Sequence, residues 1–418
     1  MSGTPNDPGS LPQAEPDELP APEFVQDQAG VEELLSALEG HAAIGVDTEA
    51  DSFYSYREKV CLIQVTAGDR DFLLDPFKDL DLDGLAAVFA DPGVTKIFHD
   101  GEFDVTILGR EYGWSFKNLF DTRVAAAALG FASPGLAAVL ERYFGLQLDK
   151  SEQRSDWSRR PLSDSQIAYA RLDTRYLEPL MGHMRADLEE QGRTAVVDGE
   201  CRRLSDMEVV HREFDPEAYA KIKGARRLDA KESQVLRELF ILRDRLAAER
   251  DVPPFKVLGN EALLTLATRM PDQIEQLDGV RGFPRGRRRG MGREVLAAIA
   301  EGKRKGPIAR GPRGPKKGKA DASKRLEDPE FELHERLREW RRKKADTENM
   351  DASLVLNRHV MLRLAKARPR SIEDLANVEG LLEWQVDSYG VALERLMQRF
   401  ERELAAGEID FEKRRRRR

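Results

Sequence analysis

The stretch Gly45-Val46-Asp47-Thr48-Glu49 decides how this chain is read. Ala42, Ala43, Ile44 and Val46 lead into it, an apolar run that predicts a buried strand ending in two acids. Side chains two apart on a strand leave the same face, so Asp47 and Glu49 stand side by side. Like charges on a core strand repel each other and resist desolvation unless something positive sits between them. A divalent metal ion meets that need most simply. It also requires further acids from elsewhere in the chain.

Outward from that strand, residues 60–66 (Val-Cys-Leu-Ile-Gln-Val-Thr) and 71–74 read as two more strands with a hairpin turn at 69–71. A short helix over 30–39 precedes them, so three strands come first as antiparallel neighbours. From residue 82 the pattern alternates: helix 82–90 stopped by Asp91-Pro92-Gly93, strand 95–98, helix 102–112, strand 118–120, an Ala-rich helix capped by Asp121, and helix 136–144. Strands first and alternation afterwards predict an α/β domain with a mixed sheet flanked by helices. Ser163 with Gln166 three residues on has the form of a capping box. It opens a long helix carrying Ile167, Tyr169, Ala170, Leu172, Asp173, Tyr176 and Leu177, with Tyr169 and Asp173 one turn apart on one face.

From about residue 215 the pattern is helical throughout, and it repeats without a gap at an offset of 98. Val257-Leu258 matches Val355-Leu356, Leu266-Ala267 matches Leu364-Ala365, Pro271 matches Pro369, and Gly282 matches Gly380. Two copies of a small all-α domain therefore follow the α/β domain, joined by a Gly-, Pro-, Lys- and Arg-rich segment that reads as a flexible basic linker. The expected division is a disordered acidic tail over 1–22, an α/β domain over 23–215, helical domains over 216–302 and 328–405, a linker over 303–327 and a basic tail over 406–418.

Charge is unevenly spread. The net charge is −8 from 67 basic and 75 acidic residues, yet residues 281–325 carry 16 basic side chains against 3 acidic ones, and the chain ends in five arginines. Such basic stretches suit a polyanion partner. Two lone cysteines, Cys61 and Cys201, suggest a reducing compartment. No secretory signal, apolar membrane span or Gly-x-x-x-x-Gly-Lys-Ser/Thr loop is visible, so the expectation is a cytoplasmic protein with no membrane partner, no nucleotide cofactor and no helicase activity.

Two further acids complete the chemistry. Asp104 lies at the strand-to-helix junction His99-Asp100-Gly101-Glu102-Phe103-Asp104, and Asp173 sits mid-helix beside Leu172, where an acid is unfavourable without a partner. Taken singly, an acid ending a strand is more often a turn or cap residue. Together, four acids from separate segments suit two Mg²⁺ or Mn²⁺ ions, because hard cations take oxygen ligands.

The motifs Asp47-Thr48-Glu49, His99 through Asp104, and Tyr169-Ala170-Arg171-Leu172-Asp173 occur in the order found in the ribonuclease D family, the tyrosine-containing subgroup of the DEDD exonucleases, and the chain resembles that family over roughly residues 40–190. The block Leu148-Asp149-Lys150-Ser151-Glu152, continuing through Asp156-Trp157 and Arg160-Pro161-Leu162, adds to the likeness, and the helical repeats resemble the HRDC domain shared with RecQ-type helicases. The resemblance implies a ribonuclease H-like exonuclease domain followed by two HRDC-type domains. It implies a 3′→5′ exoribonuclease that trims tRNA precursors or other structured RNA, releasing nucleoside 5′-monophosphates. In that reading Asp47, Glu49, Asp104 and Asp173 ligate two metal ions and Tyr169 positions the attacking water. Phe53 and Tyr54 are candidates for stacking on terminal bases, Gln64 for facing the groove, and Arg285, Arg287 and Arg288 for phosphate contacts. The alternatives are a DNA 3′→5′ exonuclease of the same superfamily and a non-catalytic RNA-binding scaffold, whose signature would be a missing acid or tyrosine.

Overall fold

In the computed structural model the described residues are 19–209, 213–283, 288–308, 326–409 and 411. The expected acidic tail, basic linker and basic C-terminal tail fall largely outside them. The first unit runs β1 (Glu23–Val25), α1 (Gln28–Leu38), β2 (Ala43–Ala50), β3 (Val60–Ala67), β4 (Arg70–Leu74), α2 (Asp83–Ala90), β5 (Thr95–Phe98), α3 (Glu102–Tyr112), β6 (Leu119–Asp121), α4 (Thr122–Ala128), α5 (Leu136–Phe144), α6 (Asp164–Arg175), α7 (Leu177–Glu190) and α8 (Thr194–Ser205). Its sheet has the order β1-β4-β3-β2-β5-β6. The pairs β2–β3 and β3–β4 are antiparallel, and the other three are parallel. This is the mixed sheet flanked by helices, with the acid-bearing strand β2 inside it.

Three local expectations change. β1 has no counterpart among the expected elements; three residues are too few to show periodicity, and the strand exists because it pairs with β4. The β3–β4 turn is Gly68-Asp69, with Gly68 at φ +58°, which leaves Arg70 and Asp71 inside the strand. The helix opened by Ser163 does have its capping box, but it stops at Arg175; Tyr176 is the junction and Leu177 the first residue of α7. Tertiary packing explains the stop. A Cβ on Gly45 would lie 2.7 Å from the Thr174 carbonyl oxygen, so glycine lets the end of α6 press onto β2 and fixes Asp173 beside that strand.

The helical part carries α9 (Ala230–Glu249), α10 (Pro254–Val257), α11 (Asn260–Arg269) and α12 (Arg288–Lys305), then α13 (Asp328–Glu348), α14 (Ala352–Val355), α15 (Arg358–Ala367), α16 (Ile372–Ala376) and α17 (Glu383–Ala405). The offset of 98 holds at the level of backbone angles. Met270 and Arg368 are left-handed at φ +47° and +49°, and Gly282 and Gly380 at +81° and +82°.

The copies attach differently. The first keeps its own core, with Tyr56 of the α/β unit packed on it. The second shares one continuous core with the α/β unit. Asp351 N–H donates to the Ala127 carbonyl at 3.1 Å, and Arg193 donates to the carbonyls of Ala128, Glu348 and Asn349. Local sequence pattern does not reveal this docking, whose contacts from Arg193 to Glu348 and Asn349 span 155 and 156 residues.

Candidate active site

Strand β2 supplies Asp47 and Glu49 on one face, and α6 lies across that face. The i,i+4 pair on α6 brings Asp173 alongside them. One carboxylate oxygen from each of Asp47, Glu49 and Asp173 lies within 4.8 Å of the other two. These acids form the floor of a cavity of about 350 Å³ whose walls include His99, Arg123, Leu136, Lys150, Gln153 and Tyr169.

Asp104 arrives by a different route. Asp121 caps α4 through the amides of Arg123 and Val124 and also accepts from the amides of Asp100 and Gly101. That single carboxylate sets the turn from which α3 starts, with Asp104 in its first turn. Asp104 is buried and accepts from Thr48 Oγ1 at 2.5 Å. It stands outside the 4.8 Å cluster but within electrostatic reach of it, since its charge raises the pKa of Asp47, Glu49 and Asp173.

The electrostatics follow from the packing. Burial, then the charges of Asp104, Asp173 and Glu49, push the Asp47 carboxyl well above its usual range. Burial, then Asp173 and Asp104, push Glu49 up to about 9. Burial raises Asp173 to about 7 against the opposing hydrogen bond from Tyr169, and raises Asp104 to about 6 against the one from Thr48. The same burial, together with the Asp173, Glu49 and Asp47 charges, raises the Tyr169 hydroxyl, which stays protonated and bonds Asp173. Without a cation the cluster holds protons. Carboxylate oxygens are the donor set that hard divalent ions take, so the residues fit Mg²⁺ or Mn²⁺.

Neighbouring groups hold this arrangement in place. Trp157, 1% exposed, sits with its ring 6.0 Å from that of Tyr169. Arg160 pins the Trp157 loop to the sheet, bonding both oxygens of Asp75 and the Cys61 carbonyl. His99 Nδ1 lies 2.8 Å from Thr122 Oγ1, which itself donates to the Phe98 carbonyl. Burial and the Arg123 charge lower His99 to about 3, so the ring is neutral.

The remaining sequence candidates disperse. Phe53 is 49% exposed. Tyr54 is engaged: its hydroxyl donates to the Arg154 carbonyl and the Lys256 ammonium stands 4.2 Å over its ring. Tyr56 donates to Asp244 at 2.8 Å. The aromatic loop after the first motif thus grips the first helical repeat. Gln64 shares the face of Asp47, opposite it in the β2–β3 register, but is fully buried and does not line the cavity. Arg285 and Arg287 lie outside the described residues, as does the side chain of Arg288. Arg123, Lys150 and Gln153 were given no role from the sequence, although Lys150 lies in a block already singled out. Nothing local marks Arg123; only the fold brings it to the cavity.

Comparison with known proteins bears on the whole chain. A 3′-5′ exonuclease family model matches residues 22–189, and an HRDC domain model matches 232–299 and 330–396. Ribonuclease D of Acidiphilium cryptum is 29% identical over 89% of this chain and 92% of its own length. Ribonuclease D of Escherichia coli K12 is 34% identical over 64% of this chain and 71% of its own. The crystal structure of Escherichia coli RNase D, described as an exoribonuclease involved in structured RNA processing, superposes with a TM-score of 0.67 at 26% identity, covering 91% of this chain and 99% of that one. Among the described residues no helix is long and apolar enough to cross a membrane. An exonuclease unit with a partly buried acidic cluster, carried ahead of two HRDC domains, places this chain in the ribonuclease D family, as a 3′→5′ exoribonuclease of the DEDD superfamily.

Proposed function

We propose that this exoribonuclease trims the 3′ ends of structured RNA, tRNA precursors foremost, in the cytoplasm. The observation that carries the reading is the convergence of Asp47, Glu49 and Asp173 on one cavity floor beneath the cationic side chains of Arg123 and Lys150. In this reading Asp47, Glu49, Asp104 and Asp173 hold two divalent cations, Mg²⁺ or Mn²⁺. Bound there, the ions supply charge stabilisation to the attacking and leaving oxygens of the terminal phosphodiester.

The chain's own residues do the rest. Tyr169, kept protonated by burial and by the surrounding acids, orients the attacking water from the edge of the cluster. Trp157 and the Arg160–Asp75 bridge hold Tyr169 against the sheet. Arg123 and Lys150 meet backbone phosphates entering the cavity, contacts that give affinity without sequence choice. Of the two aromatics, Phe53 keeps the exposed ring that stacking on a terminal base needs. Arg285, Arg287 and Arg288, basic positions of the first helical repeat, are the further candidates for phosphate contact in this reading. The product of each cycle is a nucleoside 5′-monophosphate.

The test is incubation with a tRNA precursor bearing a 3′ trailer, with and without EDTA, followed by product sizing. Stepwise shortening from the 3′ end that EDTA stops is the expected result. Equal or faster digestion of a matched DNA strand would move the substrate to DNA.

A further inference from the structure

Gln64 lies at the centre of the β2–β3–β4 ladder, paired with Asp47 on one side and Leu73 on the other. Residues directly opposite on an antiparallel pair project from the same face with Cβ atoms roughly 4.5–5.5 Å apart. The face is fixed by its neighbours. Leu62, two residues before Gln64, packs with Ala170 and Trp157. Thr66, two residues after, places its Oγ1 2.7 Å from Thr174 Oγ1. Gln64 therefore lies under the Ala170–Thr174 span of α6, the span that carries Asp173, and beside the Asp47 side chain. It is 0% exposed, and neither its amide nitrogen nor its amide oxygen has a protein partner. A buried amide with both ends unpaired costs on the order of 1–3 kcal/mol, which apolar side chains of similar size avoid. The rest of this buried face makes the contrast: Thr66 bonds Asp71 and Thr174, and Arg171 bonds Asp71 at 2.8 Å.

We propose that Gln64 is a positioning residue for the cation site: its side-chain amide donates to the Asp47 carboxylate when that group binds metal, and holds it in the liganding orientation. The inference rests on the metal-site reading above. Residues that orient a liganding carboxylate typically govern roughly 10–100-fold in metal affinity. Gln64 is fully buried and does not line the cavity, so its influence passes through Asp47.

The experiment uses the full chain and Mn²⁺ alone as probe, with binding read from the electron paramagnetic resonance signal of the free ion. Gln64→Met keeps the length and removes the amide; Leu62→Met, on the same face beside it, is the packing control. The expected result is Mn²⁺ affinity about tenfold or more weaker in Q64M, wild-type affinity in L62M, and a melting temperature of metal-free Q64M no lower than wild type. Mn²⁺ affinity in Q64M within about twofold of wild type, or an equal loss in L62M, would overturn the positioning role. Absence of Mn²⁺ binding by the wild-type chain would instead remove the metal site on which it rests.

Discussion

Replacing Asp47 by Asn should stabilise the metal-free protein while destroying its activity, and the size of the gain should depend on pH. In the folded, metal-free chain Asp47 is held well above the usual carboxylate range and Glu49 at about 9. A group whose folded pKa is raised contributes stability at low pH and loses it as pH climbs from the unfolded value through the folded one. Each extra proton bound by the folded state makes stability fall by about 1.4 kcal/mol per pH unit. Glu49 acts in this direction up to about pH 9, and Asp47, whose folded value is likewise raised, acts in the same sense. The asparagine amide has no proton to retain, so the variant drops one of the two contributions. Its advantage over wild type, read as the gap in melting temperature, should therefore widen as pH rises from roughly 6 to 8. The assay is thermal unfolding in EDTA at half-unit steps of pH, repeated in Mg²⁺. In EDTA the variant should melt higher, increasingly so at alkaline pH; in Mg²⁺ the order should narrow or invert, because the intact site gains binding energy in the folded state. A wild-type melting temperature independent of pH in EDTA, or a variant no more stable than wild type at pH 8, would show that these carboxylates are not the mutually strained cluster described.

Other outcomes follow from the same geometry. Tyr169→Phe should lower kcat by about 10²-fold or more while leaving Mn²⁺ affinity near wild type, since the phenol touches Asp173 rather than completing the ligand set; single-turnover kinetics beside metal titration would check it. Activity at limiting Mg²⁺ should rise across roughly pH 6–9 as the acids shed protons to take metal, and the midpoint should move to lower pH as Mg²⁺ is raised. Arg193→Ala removes the donors to the Glu348 and Asn349 carbonyls that join the second HRDC domain to the exonuclease unit, along with the bond to Ala128 within that unit. It should cost roughly 1–3 kcal/mol and hasten release of the C-terminal part in limited proteolysis.

Much of this was readable from short-range signals. Asp47 and Glu49 at the end of an apolar run, the Asp121 cap, the Ser163–Gln166 box and the offset of 98 all work within a few residues or by direct repetition, and each appears in the fold where the local pattern put it. The exceptions share one cause, which is contact between distant segments. β1 exists through β4, the end of α6 is set by Gly45, and Tyr54 and Tyr56 are committed to Lys256 and Asp244. Gln64 sits in a strand buried along its whole length, so no period tells a cavity-lining residue from one sealed beneath α6. Arg123 follows a cap and looks like a surface helix residue until α5 and the 148–153 segment close the cavity around it.

The most direct measurement is an anomalous-scattering map from crystals of this chain equilibrated with Mn²⁺. Manganese should appear on the cavity floor at coordination distances of roughly 2.0–2.2 Å from carboxylate oxygens of Asp47, Glu49 and Asp173. Manganese bound elsewhere, with these three carboxylates still turned toward one another and free of metal, would contradict the assignment of the catalytic centre.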